Sequence, residues 1–117
     1  MEIRELAAAF YALIKDNKIA EAQDKFYSDD IRSIEPMPGE HSDVTGKAAL
    51  AEKYKWWEEN ATVHDEGMGD GPKVHGDQFA ITFWIDVTMT GMDRMKMEEV
   101  GLYTVKDGKI VEERFFY

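Results

Sequence analysis

The sequence predicts an α+β domain whose antiparallel sheet is covered on one face by helices. In the first half of the chain, apolar residues recur every three or four positions, which is typical of amphipathic helices. From Ala61 onward they alternate with polar residues, which is the period of a half-buried strand. Because the helices come first and the strands follow in succession, the pattern favours an α+β architecture over alternating βα units.

Three helices and one strand are predicted in the first half. The apolar positions of the first two helices are Ile3, Leu6, Phe10, Leu13 and Ile14 and then, after an interruption at Asn17–Lys18, Ile19, Ala22 and Phe26. A strand follows over 30–35 and ends there because Pro36 cannot continue it, which leaves residues 36–46 as a loop. A third helix begins near Thr45–Gly46. Its core-facing residues are Leu50, Tyr54 and Trp57.

Four strands are predicted after the third helix, and the clearest of them is "QFAITFWIDVTMTG". Its odd-numbered residues from Phe79 to Met89 are all apolar, so we expect this face to meet the helices. Before it, "ATVHDEGMGDGPKV" is predicted to be a partner strand with a glycine-rich bend. After it come a strand over about 95–105, an Asp107–Gly108 hairpin turn and the last strand, "KIVEERFFY".

Composition argues against several classes of function. The 117 residues suffice for one domain, and the net charge of −10 disfavours binding to nucleic acid or to an anionic membrane surface. The absence of cysteine excludes disulfides and thiolate chemistry, and no apolar run approaches the roughly 18 residues that span a bilayer. His41, His64 and His75 lack the spacing of metal ligands, so no metal site is predicted. With no signal peptide visible, we expect a cytoplasmic protein.

The segments "DKFYSDDI", "TGKAALAEKY" and "VKDGKIVEERFFY", in this order of elements, resemble the nuclear-transport-factor-2-like superfamily. SnoaL-like proteins and ketosteroid isomerase look most similar, and the resemblance covers residues 1–117 as a single domain. It implies a cone, also called cystatin-like, in which a curved antiparallel sheet wraps around N-terminal helices and leaves an apolar pocket at the open end. It also implies a homodimer formed through the outer sheet face, which would bury Trp84.

The resemblance to ketosteroid isomerase implies roles for particular residues. The general-base carboxylate before a proline, at the end of the first strand, corresponds to Glu35–Pro36. The oxyanion-stabilising tyrosine of the first helix corresponds to Tyr11, which lies 35 − 11 = 24 residues earlier. The second oxyanion donor, a protonated carboxylic acid, falls at Gly101, which has no acid. Glu99 is two residues earlier on the same strand face.

Glu35 is the first candidate for catalysis, and three interpretations of it stay open. Desolvation beside Ile31 would favour the protonated form of a carboxyl group and make it a usable base. Alternatively, Glu35 is a solvated strand end. If Arg32 or another cation reaches it, it is instead a structural ion-pair partner.

The remaining site residues are assigned by chemistry and by strand face. Tyr11 would donate a hydrogen bond to developing negative charge, or it is a core tyrosine with a satisfied hydroxyl group. His64 or Glu99 would be an auxiliary proton-transfer group, although the inward face around His64 is ambiguous because glycines follow it. The predicted ligand contacts are Phe83, Ile85, Trp57, Tyr103 and Met97.

Two functions follow from these expectations. The first is a cofactor-independent isomerase, cyclase or hydratase that uses Glu35 as general base on a small hydrophobic carbonyl compound. The alternative is a non-catalytic ligand-binding or dimeric interaction module of the same fold, which the missing acid at Gly101 favours. Fold alone does not choose between them.

Overall fold

The computed structural model describes residues 1–117 and contains three helices and seven strands. The elements are, in order, α1 (Ile3–Lys15), α2 (Ile19–Phe26), β1 (Tyr27–Ile34), β2 (Asp43–Thr45), α3 (Lys47–Asn60), β3 (Ala61–Met68), β4 (Lys73–His75), β5 (Gln78–Met89), β6 (Met95–Lys106) and β7 (Lys109–Phe116). The α+β prediction is confirmed, with helices packed on one face of a curved sheet that does not close. No helix is long and apolar enough to cross a membrane.

The sheet is mixed, whereas the sequence predicted an antiparallel one. Its strand order is β2-β1-β7-β6-β5-β3, with β4 also paired to β5. β1 runs parallel to β7 and all the other neighbours are antiparallel. Strand β2 lies within the predicted loop 36–46, where Arg32 of β1 holds Asp43 of β2 through two hydrogen bonds of 2.9 and 2.7 Å. The parallel β1–β7 pair and strand β2 both depend on pairing between segments that are distant in sequence, which local sequence patterns do not predict.

The predicted breaks between elements are confirmed by backbone geometry. Asn17, with φ 59°, makes the turn between α1 and α2, and Gly46, with φ 95°, precedes α3. In the hairpin between β6 and β7, Asp107 and Gly108 have φ of 53° and 76°. Two successive left-handed residues form the turn whose twist matches a right-handed β-hairpin.

Strand β5 turns its odd-numbered residues to the inner face of the sheet, as its alternation predicts. Phe79, Ile81 and Val87 are buried, whereas Thr82 is exposed. In β6, the residues directly opposite Phe79, Phe83 and Ile85 are Tyr103, Glu99 and Met97. Because residues directly opposite each other share a sheet face, these three belong to the inner face too.

One end of this inner face is filled by an aromatic core, which consists of Phe10, Phe26, Tyr27, Phe79 and Tyr103. The Phe10 ring of α1 lies at its centre, with ring centroids 5.0 Å from Tyr103, 5.8 Å from Phe79 and 5.9 Å from Tyr27. Further along β5, Phe83 and Ile85 are only half-buried. The helices therefore cover one part of the inner face and leave the next part accessible.

Candidate functional site

Glu35 lies one residue beyond β1, and its backbone N–H donates to the Ser42 carbonyl at 2.7 Å. In β1, Ile31 and Ser33 are buried while Arg32 is exposed, so Glu35 continues the inward face as predicted. A cation reaches its carboxylate: Lys53 Nζ is 3.0 Å from Glu35 Oε1. The structure therefore favours the ion-pair interpretation of Glu35.

Lys53 connects this ion pair to the interior. It is three residues after Leu50 on α3, which places its side chain on the core face of the helix, and it is only 8% exposed. Its Nζ donates to Ser33 Oγ at 2.6 Å and lies 5.4 Å from the centre of the Phe115 ring. Lys53 was not among the predicted site residues, although its spacing from Leu50 was an available signal.

Glu113 is fully buried at the inner end of the same chain of contacts. Its carboxylate accepts hydrogen bonds from Ser33 Oγ at 2.6 Å, from the Tyr54 hydroxyl at 3.2 Å and from the Tyr27 hydroxyl. Burial raises the pKa of Glu113, while the hydrogen bonds from Ser33 and Tyr27 and the charge of Lys53 oppose that shift. We refer to Ser33, Glu35, Lys53, Glu99 and Glu113 as the carboxylate cluster.

Glu99 completes the cluster from β6, where it is half-buried opposite Phe83. Burial and then the negative charge of Glu35 raise the pKa of Glu99 to about 7, and Lys53 acts in the opposite direction. At neutral pH this carboxyl group is present both as an acid and as a base. Two of the predicted proton-transfer residues, Glu35 and Glu99, are thus brought within electrostatic reach of each other. Burial also raises the pKa of Tyr117, and the charge of Glu35 adds to the shift.

The structure does not bring Tyr11 into this cluster. The Tyr11 hydroxyl donates to the carbonyl oxygen of Gly69 at 2.8 Å and so ties α1 to the bend between β3 and β4. To donate to a substrate it would first have to break this bond. We therefore correct the predicted oxyanion role: Tyr11 corresponds to the alternative, a partly buried tyrosine with a satisfied hydroxyl group.

His64 is also outside the cluster, because a bulge changes the face on which it lies. The register between β3 and β5 shifts between Val63 and Asp65, and His64 is exposed there. Its Nε2 forms a hydrogen bond of 2.7 Å with Oγ1 of Thr88, an even-numbered residue of β5 on the outer face. The predicted proton-transfer role of His64 is therefore corrected, and Glu99 is the member of that pair that faces inward.

Comparison with known proteins identifies the family. A family model for the SnoaL-like domain matches residues 1–117. This chain belongs to the SnoaL-like family. Among solved structures, one from Mesorhizobium loti is 49% identical over 100% of both chains, with a TM-score of 0.94. That protein is provisionally described as a SnoaL-like polyketide cyclase, with the label carbohydrate phosphatase added.

More distant structures share the fold of this SnoaL-like domain. A protein of unknown function with a cystatin-like fold from Xanthomonas campestris is 23% identical, with a TM-score of 0.77 and coverage of 99% of this chain and 90% of that one. A nuclear-transport-factor-2-like protein of unknown function from Burkholderia pseudomallei is 10% identical, with a TM-score of 0.74 and coverage of 100% and 92%. They support the predicted cone. A search of curated protein sequences gave no match.

The predicted ligand contacts of the SnoaL-like domain share the accessible part of the inner face or border it. Phe83, Ile85 and Met97 are half-buried there, next to Glu99. Tyr103 is buried deeper, as a member of the aromatic core. Trp57 is half-buried on α3, one helical turn after Lys53. Their arrangement gives apolar surface beside a titratable carboxyl group.

A groove of about 380 Å³ in the SnoaL-like domain is lined mainly by outer-face residues, together with Phe83 and Glu99. Trp84, Val100 and Phe116 line it, and the last two are directly opposite each other in β6 and β7. The Trp84 indole lies over Gly67, where any Cβ would be 2.3 Å from its Nε1, and Lys96 Nζ is 4.7 Å from its ring centre. Val100 and Phe116 are exposed, so this apolar surface lacks a partner within the chain.

Proposed function

We propose that this SnoaL-like domain is a cofactor-independent enzyme of the isomerase or cyclase class that moves a proton on a small hydrophobic carbonyl compound. The observation that carries the proposal is Glu99, whose pKa of about 7 belongs to a half-buried carboxyl group beside the Glu35–Lys53 ion pair. The 49% identical protein described as a polyketide cyclase supports the same reaction class. Phosphoester hydrolysis is not favoured, because three carboxyl groups surround the single cation Lys53.

In the proposed reaction, the Glu99 carboxylate takes a proton from the carbon next to the substrate carbonyl. The electron pair of the broken C–H bond moves to the carbonyl oxygen and gives an enolate. In an isomerisation, a conjugated enolate regains the proton from Glu99 at another carbon. In a cyclisation, the enolate attacks a second carbonyl carbon, whose oxygen takes the electron pair of the C=O bond and then the proton from Glu99. A base with a pKa near the working pH is effective in such steps. Glu35 is the less suitable base, because it would have to leave Lys53 to accept a proton.

Exchange of protons next to a carbonyl tests this proposal with a simple ketone. We expect the protein to accelerate deuterium incorporation into 2-tetralone in D₂O at neutral pH, and Glu99→Gln to lower the rate by about 100-fold or more. Glu98→Gln is the matched control, since Glu98 is the exposed neighbour on the opposite sheet face. Equal rates for Glu99→Gln and Glu98→Gln, or no acceleration by the unaltered protein, would contradict the proposal.

Glu35→Gln separates the two candidate bases in the same assay. If Glu99 is the base, Glu35→Gln removes a negative charge that raises the pKa of Glu99, so the pH profile moves to lower pH while turnover persists. If Glu35 is the base, the same change abolishes exchange at every pH.

The alternative function is a non-catalytic binding module for small hydrophobic molecules. It is favoured by the fact that the Glu35 and Tyr11 side chains already have partners within the chain. Binding of 2-tetralone without exchange in the unaltered protein would select this alternative.

We also propose that two copies pair through the outer sheet face. Trp84, Val100 and Phe116 supply the apolar centre of the surface, and the Arg94–Asp86 pair, with contacts of 2.9 and 2.8 Å, lies at its edge. Sedimentation at micromolar concentration should give the mass of two chains. Trp84→Glu should give the mass of one, because it replaces the apolar ring of the surface by a charged group that would have to lose its hydration. A single-chain mass for the unaltered protein would contradict the dimer.

A further inference from the structure

We infer that the Tyr103 hydroxyl is the group that donates a hydrogen bond to the substrate oxygen in this site. The inference rests on the proposed function, because it assumes that a carbonyl compound binds beside Glu99. Neither the resemblance to ketosteroid isomerase nor the predicted role of Tyr11 assigns a polar role to Tyr103, which was predicted only as a ligand contact.

Tyr103 differs from the other tyrosines of the interior in having no hydrogen-bond partner. The hydroxyl of Tyr11 binds the Gly69 carbonyl, and those of Tyr27 and Tyr54 bind Glu113. The Tyr103 side chain is only 3% exposed, and its hydroxyl contacts no acceptor. Ser28 Oγ is the one side-chain polar atom that is both fully buried and without a hydrogen-bond partner. The Tyr103 hydroxyl also lacks a partner, so it is not fully buried and must reach solvent-accessible space. A buried ring that presents an unpartnered donor to such a space is suited to bind a ligand oxygen.

The ring of Tyr103 is fixed in place, so its hydroxyl has a defined position. It stacks on Phe79 at 5.0 Å with an angle of 17° between the planes, and Phe10 and Phe115 pack against it at 5.0 and 6.4 Å. A donor held by packing does not need to be reoriented when charge develops on the substrate.

The hydroxyl points along β6 toward Glu99. A Cβ at Gly101, which lies between the two residues in sequence, would be 2.8 Å from the Tyr103 hydroxyl and 3.1 Å from the Phe83 ring. Because glycine has no side chain, the space next to residue 101 is free for the Tyr103 hydroxyl. Because Glu99 is directly opposite Phe83, the donor, the carboxyl group and an apolar wall converge on the same part of the inner face.

The surrounding charges keep Tyr103 a donor. Burial, and then the negative charges of Glu113 and Glu99, raise its pKa well above the usual value for tyrosine, so the O–H bond persists throughout the pH range in which Glu99 titrates. When Glu99 takes up a proton, its negative charge passes to the substrate oxygen. A neutral donor next to that oxygen stabilises the charge without adding a competing one.

A pair of ligands that differ by one carbonyl group tests the inference. For the unaltered protein and its variants, the dissociation constants of 2-tetralone and of tetralin, which has CH₂ in place of the carbonyl, are measured by NMR titration. We expect Tyr103→Phe to reduce the preference for 2-tetralone by about fivefold, the value of one neutral hydrogen bond, and to leave tetralin binding unchanged. Tyr11→Phe is the matched control and should keep the full preference, because that hydroxyl is bound to Gly69.

Gly101→Ala gives an independent version of the same test, because a methyl group there would displace the Tyr103 hydroxyl while the phenol is retained. It should lower the preference for the ketone as Tyr103→Phe does. An unchanged preference in Tyr103→Phe would overturn the inference, and the proposed function would still stand if Glu99→Gln abolishes exchange. If neither ligand binds the unaltered protein at millimolar concentration, both the inference and the proposed function are overturned.

Discussion

The aromatic core and the carboxylate cluster occupy neighbouring parts of one sheet face, yet they have opposite chemistry. The same strands build both: β1 supplies Tyr27 and then Ser33, while β6 supplies Tyr103 and Glu99. In the aromatic core every buried group is apolar or packs through a ring. In the carboxylate cluster, three carboxyl groups share the single cation Lys53.

The aromatic core stabilises the fold, whereas the presence of the carboxylate cluster needs another explanation. Burial of apolar rings is favourable by itself. Burial of charges loses their hydration, and even a well-paired cluster is often no more stabilising than apolar residues of the same size. The cluster is therefore better explained by what it does to the protonation of Glu99 than by its contribution to folding. The following changes test this contrast.

Phe10→Ala should have the largest effect on stability. The Phe10 ring contacts four other aromatic rings and is 1% exposed, so its removal leaves a cavity that the sheet cannot fill. We expect a loss of about 3–5 kcal/mol in the free energy of unfolding, measured by urea denaturation. Ile19→Ala, at an exposed helix position, is the comparison and should lose less than about 1 kcal/mol. Similar losses for the two variants would contradict the assignment of the core.

Glu113→Ala should be the next most destabilising change, for a different reason. It would leave the hydroxyls of Tyr27, Ser33 and Tyr54 without their acceptor. We expect a loss of about 3 kcal/mol, and a smaller loss for Glu113→Gln, which keeps an acceptor oxygen. Equal stability of Glu113→Ala and the unaltered protein would contradict the three hydrogen bonds assigned to Glu113.

Glu99→Gln should make the smallest change and should be stabilising at high pH. Its folded pKa of about 7 is above its usual value of 4.5, so between these values the folded state binds more protons than the unfolded state. The contribution of Glu99 to stability is thus fully present below pH 4.5 and is lost as the pH rises through 7. At pH 8, Glu99→Gln should be more stable by about 2 kcal/mol, allowing for partial solvent screening, and near pH 4 it should be equal. Parallel stability curves would contradict this.

The residues that sequence reasoning identified are those whose position follows from local periodicity. The alternation of β5 predicted its inward face, and Glu99 was found because it shares a strand face with Gly101, the position that the resemblance singled out. Lys53 and Glu113 were missed because a charged residue in a sequence is usually expected to be solvated. Both can be buried because they have partners on other elements, Glu35 for Lys53 and Ser33 for Glu113. Glu113 lies two residues before Phe115 and therefore on the same face of β7, which was the one sequence pattern that could have predicted its burial.

The incorrect assignments depended on features that no local pattern contains. The bulge in β3 places His64 on the outer face, and the Tyr11 hydroxyl donates to the Gly69 carbonyl. The parallel pairing of β1 with β7 places Ser33 opposite Glu113. Each requires knowledge of which distant segment is adjacent. The resemblance supplied the fold correctly and placed Glu35 in the site, but it could not supply the cation beside it.

Titration of the glutamate carboxyl carbons by NMR tests the central claim most directly. We predict that the Glu99 signal has a midpoint near pH 7, is absent in Glu99→Gln and moves to lower pH in Glu35→Gln. This midpoint is expected for Glu99 because burial and then the charge of Glu35 raise its pKa. If the Glu99 signal titrates at or below the usual glutamate value of 4.5, the account of this site as a tuned acid–base centre is contradicted.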